Sequence, residues 1–366
     1  MRRAEAIAWV VSVCAVSLRL SQAKTLAALV AAALRVERVS LASIGRAAVG
    51  RAKHQIKRCW RFCANGRVEP ADAMRGVVRG LVRKRRKPLL VAVDWVDVRG
   101  FNTLVAAAVL KGRSVPLCWA SCRGTTYDGH RSRNAFEESL LLVLRSVVPP
   151  AVRVILLADR GFGRTELARF CQRHGFSYVI RVKSDVWVRC PSYAGNLFDY
   201  PVRKGVCKLL KNVAYRETDP VTQNVVVRWV RGLPAKRDEC WFLMTDLAAG
   251  PAQVSKLYGQ RMTVEELFRD HKSKRNGWAL RDTQVTAADR LDRLLLVLAL
   301  AYLLLVGLGL HCRRHYRPGH WCSNNRGDTL SDFAIARAML GNVTIRPATA
   351  FRLLLAATVT AVPNWG

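Results

Sequence analysis

Leu89-Leu90-Val91-Ala92-Val93-Asp94-Trp95 is an unbroken apolar run that stops on a carboxylate. Val154-Ile155-Leu156-Leu157-Ala158-Asp159-Arg160-Gly161 repeats that form. Short runs of branched apolar residues read as strands buried on both faces, so each aspartate is expected at the end of such a strand. Between the two, residues 103–110 and 115–120 carry strand patterns joined by Lys111-Gly112-Arg113-Ser114, a composition that suits an antiparallel hairpin. Residues 134–148 read as a helix, 152–158 as the fourth strand, 165–174 as a second helix and 176–182 as a fifth strand. Three strands followed by helix, strand, helix, strand is a mixed α/β order.

The flanks read differently. Residues 1–86 are rich in Ala, Leu and Arg with few strand formers, which predicts a basic helical domain. It closes on Arg83-Lys84-Arg85-Arg86-Lys87 before Pro88, a linker composition. Residues 184–247 hold short Val-, Trp- and Tyr-bearing runs broken by Pro, Gly and charged turns, the pattern of a β-rich insertion. Long helices are expected over 253–274 and 292–310, and residues 311–366 form a tail whose role the residues do not specify. The expected domains are therefore 1–86, 87–310 and 311–366.

Sixty Lys and Arg against 26 Asp and Glu give a formal net charge of +34. Such a field draws polyanions, and counterion release makes nucleic acid the natural partner. Half the residues are hydrophobic, which excludes a disordered basic tail. Eleven cysteines without a Cys-x2-Cys pair argue against a secreted disulfide scaffold and for a reducing, cytoplasmic setting. His311, Cys312, His315, His320 and Cys322 match no zinc spacing. Residues 294–310 are seventeen uncharged residues, at the lower limit for crossing a bilayer. A helix buried inside a large domain is the expectation, with no membrane partner.

A carboxylate at the end of an apolar strand is costly to bury unless something neutralises it. Two on neighbouring strands repel, and a divalent cation between them resolves both problems; oxygen donors are what Mg²⁺ prefers. A third acid comes from the helix after Pro251. At about 100° per residue, Tyr258, Arg261, Glu265 and Lys272 share one helical face, while Glu266 points elsewhere. Arg261 and Lys272 then stand one and two turns from Glu265, placed to meet phosphates.

Tyr258-x2-Arg261-x3-Glu265-x6-Lys272 resembles the signature of the insertion-sequence-four group of DDE transposases. Asp94 in Val-Ala-Val-Asp-Trp and Asp159 in Ala-Asp-Arg-Gly-Phe-Gly stand where that family's two aspartates stand. Tyr127-Asp128-Gly129-His130 and Asn134-x2-Glu137-Glu138 look like the segment between them. The resemblance spans about residues 88–310. It implies a ribonuclease H-like core with a β insertion, and catalysis by Asp94, Asp159 and Glu265 holding two Mg²⁺ ions, for which Mn²⁺ substitutes. It further implies DNA contacts from Arg181, from Trp241 against an extruded base, and from Tyr258, Arg261 and Lys272. The implied partners are double-stranded DNA, as terminal inverted repeats and target, and a second copy of the chain; the implied location is the nucleoid. Val96 and Met262 depart from the pattern, where a Thr and in some members a Trp are found. A nuclease or a non-catalytic DNA-binding protein of the same fold is the competing expectation.

Overall fold

The computed structural model of the chain describes residues 1–83, 87–124, 126–229, 240–323 and 330–357, and of Asp128 only the backbone. The basic linker expected at 83–87 lies largely outside the described residues, since 84–86 are not among them.

Five helices open the chain: α1 (Arg3–Cys14), α2 (Leu20–Ala33), α3 (Leu41–Ala47), α4 (Ala52–Cys63) and α5 (Pro70–Val82). Then come β1 (Leu89–Val98), β2 (Phe101–Leu110), β3 (Arg113–Arg123), α6 (Arg133–Val147), β4 (Val154–Ala158), α7 (Thr165–Arg173) and β5 (Phe176–Arg181), the order that the sequence predicts. β1 is longer than expected. Asp94 sits inside it, not at its end, because pairing with β2 carries β1 on through Asp94↔Val105 to Val98↔Phe101. That hairpin closes through Arg99 and Gly100 at φ 54° and 79°, the positive-φ pair of a tight two-residue turn.

β6 (Trp187–Cys190), β7 (Tyr193–Asn196), β8 (Cys207–Tyr215), β9 (Val221–Arg228) and β10 (Trp241–Thr245) follow. They do not form a separate layer. β10 pairs antiparallel with β5, and the result is one ten-stranded sheet ordered β3-β2-β1-β4-β5-β10-β9-β8-β6-β7. β1, β4 and β5 are parallel, with Val93 opposite Ala158 and Ala158 opposite Ile180. The next residues along these strands, Asp94, Asp159 and Arg181, therefore line up side by side.

The helix expected over 253–274 is divided into α8 (Pro251–Gly259) and α9 (Thr263–Lys272) by a 3₁₀ turn at Gln260–Met262. The backbone stays right-handed through the turn, and the Thr263 hydroxyl donates to the Gln260 carbonyl at 2.8 Å. The chain tightens there, and a uniform 100° rotation no longer describes the Tyr258–Lys272 face. α10 (Ala288–His315) is longer than the 292–310 expected, and it is the only described helix long and apolar enough to cross a membrane. Its most apolar window is 83% buried within the chain, packed by α2, α4, α5, β3, α11 (Asp332–Met339) and α12 (Pro347–Ala357). Gly307 and Gly309 let it approach neighbouring backbone: an added Cβ would meet Ala350 O at 2.4 Å and Asp332 O at 1.8 Å.

His271 lies buried where α9 meets α10, against the rings of Trp278 and Tyr302, with Nδ1 2.9 Å from the Leu267 carbonyl. Burial pushes its pKa down to about 4. A histidine depressed from about 6.5 contributes stability that is lost as pH falls through that window. Neighbouring Asp270 is raised by burial and works the other way, so the comparison must be between variants. The stability of the wild type minus that of His271→Phe should fall by about 3 kcal/mol between pH 7 and pH 4. Urea titrations at both pH values measure this, and a pH-independent difference would show that folding leaves the His271 pKa unshifted.

Candidate active site

Asp94 leaves the sheet on the face covered by α9. Its Oδ2 accepts from Arg261 Nη1 at 2.9 Å, and its Oδ1 from the Trp95 backbone N–H at 2.9 Å. Arg261 Nη2 donates to Glu265 Oε1 at 2.7 Å, so one guanidinium bridges two acids 171 positions apart in the chain. The i, i+4 spacing of Arg261 and Glu265 survives the tightened turn, which is why the contact forms. Asp159 directly follows β4. Its carboxylate accepts from the Gly161 N–H at 2.9 Å and caps the short 3₁₀ turn Arg160–Phe162. A Cβ on Gly161 would stand 3.1 Å from Asp159 Oδ1, so the glycine keeps that loop tight against the carboxylate.

The electrostatics tie the three acids together. Burial, above all, pushes Asp94 up to about 6; Arg261 opposes it, Asp159 and Glu265 add repulsion, and the Trp95 N–H offsets part of that. Burial works against the Arg261 cation, but Asp94, then Tyr258, Glu265 and Asp159, outweigh it and raise its pKa. Asp97 is set apart: it is exposed, and its carboxylate accepts from the Gly100 N–H at 3.1 Å in the β1–β2 turn. Glu266 is also engaged elsewhere, in ion pairs with Arg113 and Arg269, each at 2.8 Å.

The remaining predicted residues fall around this centre. Trp241 on β10 meets Tyr258 edge to face at 5.0 Å, and the Arg228 guanidinium lies over the Trp241 ring at 5.4 Å. Tyr258 is buried, which raises its pKa, while Arg261 and Arg181 pull it back. Arg181, with Arg160 and Lys183, lines an open cavity of about 360 Å³ beside Asp159. Lys272 stands farther off. Burial and Arg281 lower its pKa, with Asp97 and Asp94 partly offsetting them, and its Nζ lies 5.9 Å from the Phe268 ring.

All-oxygen acids beside a buried, repelling carboxylate are the donor set a hard divalent cation takes. In this arrangement Arg261 fills that role. Among the described residues no group of three or more His, Cys, Asp or Glu side chains is arranged to hold a metal ion. Arg261 Nε is buried and has no hydrogen-bond partner among those residues. The guanidinium is thus held through Nη1 and Nη2, to Asp94 and Glu265.

Residues 85–304, more than half the chain, match the family model described as a transposase DDE domain. The chain belongs to that family. No curated protein matches it. It is thus a DDE transposase, of a family that acts on DNA and generally uses divalent metal ions.

Beneath the site of this transposase lies a network around Glu137, a residue noted above only as part of the segment between the two aspartates. Glu137, on α6, is 1% exposed. It accepts from Trp95 Nε1 at 2.9 Å, from Arg133 Nε at 3.0 Å and from Nη1 of Arg164, itself buried. It therefore joins the residue after Asp94 to the loop after Asp159, from the opposite face of the sheet. One signal was available: Glu137 shares the i, i+4, i+7 stripe with buried Leu141 and Leu144, where an acid is out of place unless paired. Glu137→Ala leaves buried Arg164 with only its longer ion pair to Glu138, at 3.4 Å, and should cost about 3 kcal/mol in chemical denaturation. A loss below 1 kcal/mol would mean that the network does not hold the two strands.

Proposed function

We propose that this protein is a cut-and-paste transposase of the insertion-sequence-four type, built on a ribonuclease H-like core, with Asp94, Asp159 and Glu265 as its catalytic acids. The observation that carries the reading is the Arg261 bridge from Asp94 to Glu265, beside Asp159, inside the matched domain. The sheet order β3-β2-β1-β4-β5 with parallel β1, β4 and β5 supports the core assignment.

The three acids would hold Mg²⁺, or Mn²⁺ in its place; two ions are the expectation from the resemblance. When bound, they supply an activated nucleophile and charge stabilisation for phosphoryl transfer. The chain's own groups do the rest. Arg181, beside Asp159 in the strand register, and Arg261, once released from its carboxylates, would contact the reacting and flanking phosphates. Lys272 would bind farther along the same strand. Trp241, already packed on Tyr258, offers an aromatic face for an extruded base, worth roughly 1–3 kcal/mol. Domain 1–86 would read the terminal inverted repeats, 87–310 would carry out catalysis, and a homodimer would bring two ends together at the nucleoid in the cytoplasm.

The test uses duplexes carrying the element's terminal repeats, with Mg²⁺ or Mn²⁺. Asp94→Ala, Asp159→Ala and Glu265→Gln should each lower nicking and strand transfer by at least about a thousandfold while DNA binding persists. Glu266→Gln should keep most activity. Full activity in Glu265→Gln with loss in Glu266→Gln would overturn the assignment, and nicking without strand transfer in the wild type would make the protein a nuclease.

A further inference from the structure

α9 begins near Glu265 and ends at Lys272, where the chain enters a groove made by three segments distant in sequence. The groove encloses about 600 Å³. Arg35 and Arg38 come from the α2–α3 connection, Lys274 and Arg275 from the end of α9, and Arg337 from α11. Glu37 is the one acid among its described lining residues.

Named bonds fix the walls. The Val39 N–H donates to the Trp278 carbonyl at 2.8 Å. Arg337 reaches across with both ends of its guanidinium, Nη1 to the Gly277 carbonyl at 2.6 Å and Nη2 to the Glu37 carbonyl at 3.1 Å. The helical N-terminal region, the segment leaving α9 and the C-terminal segment are therefore held as one wall. Lys274 pairs with Asp282 at 3.4 Å. Arg35, Arg38 and Arg275 are exposed and form no ion pair among the described residues. Fixing unpaired like charges around one groove is unfavourable until an anion lies among them.

We propose that this groove grips the phosphate backbone of duplex DNA beyond the reacting bond, which gives residues 311–366 a part in substrate holding through α11. The proposal rests on the active-site reading above. The seven steps of α9 from Glu265 to Lys272 span about 10 Å, which is roughly three base pairs at 3.4 Å each. A duplex leaving the catalytic acids along α9 reaches the groove three to four base pairs away. The chemistry favours a backbone over an acidic peptide, because the three free cations are arginines, which pair with phosphates through two hydrogen bonds at once.

The test is fluorescence anisotropy of the full-length protein on a random-sequence 40-base-pair duplex, at KCl concentrations from about 50 to 300 mM. Three proteins are compared: wild type, Arg35→Ala/Arg38→Ala/Arg275→Ala, and Lys111→Ala/Arg153→Ala/Arg173→Ala. The last removes the same charge from exposed residues at the edge of the sheet where β4 and β5 begin, away from Asp94 and Asp159. The groove triple should make the log–log salt slope shallower by about 2.7 and weaken binding about tenfold or more at physiological salt. The distal triple should change the slope by less than one, and all three should share one melting temperature. Equal losses in both triples, or none in the groove triple, would overturn the proposal. Asp94→Ala separates the two readings: binding kept with nicking lost supports the catalytic reading even if the groove triple binds normally. A wild type that binds no duplex would sink both.

Discussion

A carboxylate placed inside a strand must find a cation, and the pairing of Asp94 with Arg261 answers that demand here. Burial pushes Asp94 up to about 6 even with the guanidinium 2.9 Å away. Removing one partner of a buried pair typically costs about 3–5 kcal/mol, so the position of α9 on the sheet is coupled to that charge. Glu265 is carried along because it lies four residues after Arg261, in the first turn of α9. On the other face Glu137 repeats the logic with Arg164 and Trp95. The centre is therefore clamped from both sides of the sheet by buried charge.

The rest of the architecture serves that clamp. Parallel pairing of β1, β4 and β5 sets Asp94, Asp159 and Arg181 in neighbouring register positions. Adding β10 to β5 brings Trp241 over Tyr258, so the strands between the second aspartate and the glutamate helix supply the aromatic side of the site. α10 threads the core, packs against α2, α4 and α5, and meets α9 through Tyr302, which donates to Asp270 and lies against the His271 ring.

The sequence revealed the strand and helix order because the apolar runs over β1, β4 and β5 are continuous and the helix patterns between them are clear. The extent of β1 was hidden: Asp94 and Asp97 interrupt its apolar pattern, and only cross-strand pairing with β2 shows that the strand continues. The strands after residue 184 were recognisable as strands, but sequence periodicity cannot show that β10 docks on β5. Tyr258, Arg261 and Glu265 were readable from their spacing. Lys272 was placed on the same face by a uniform helix, and the tightened turn at Gln260–Met262 makes that face less regular than the arithmetic implied. The apolar stripe of α6 marked Glu137 as an acid needing a partner, but its partners, from β1 and the loop after Asp159, are brought to it only by the fold.

The proposed catalytic role of Asp94, Asp159 and Glu265 requires the three acids to hold a divalent cation together. Iron-directed backbone cleavage tests this without any need for DNA or turnover. With Fe²⁺ replacing Mg²⁺ in the presence of ascorbate, cuts should cluster near residues 94, 159 and 265. They should be suppressed by excess Mg²⁺ and lost in Asp94→Ala. Cuts concentrated elsewhere, or unchanged in Asp94→Ala, would contradict the account.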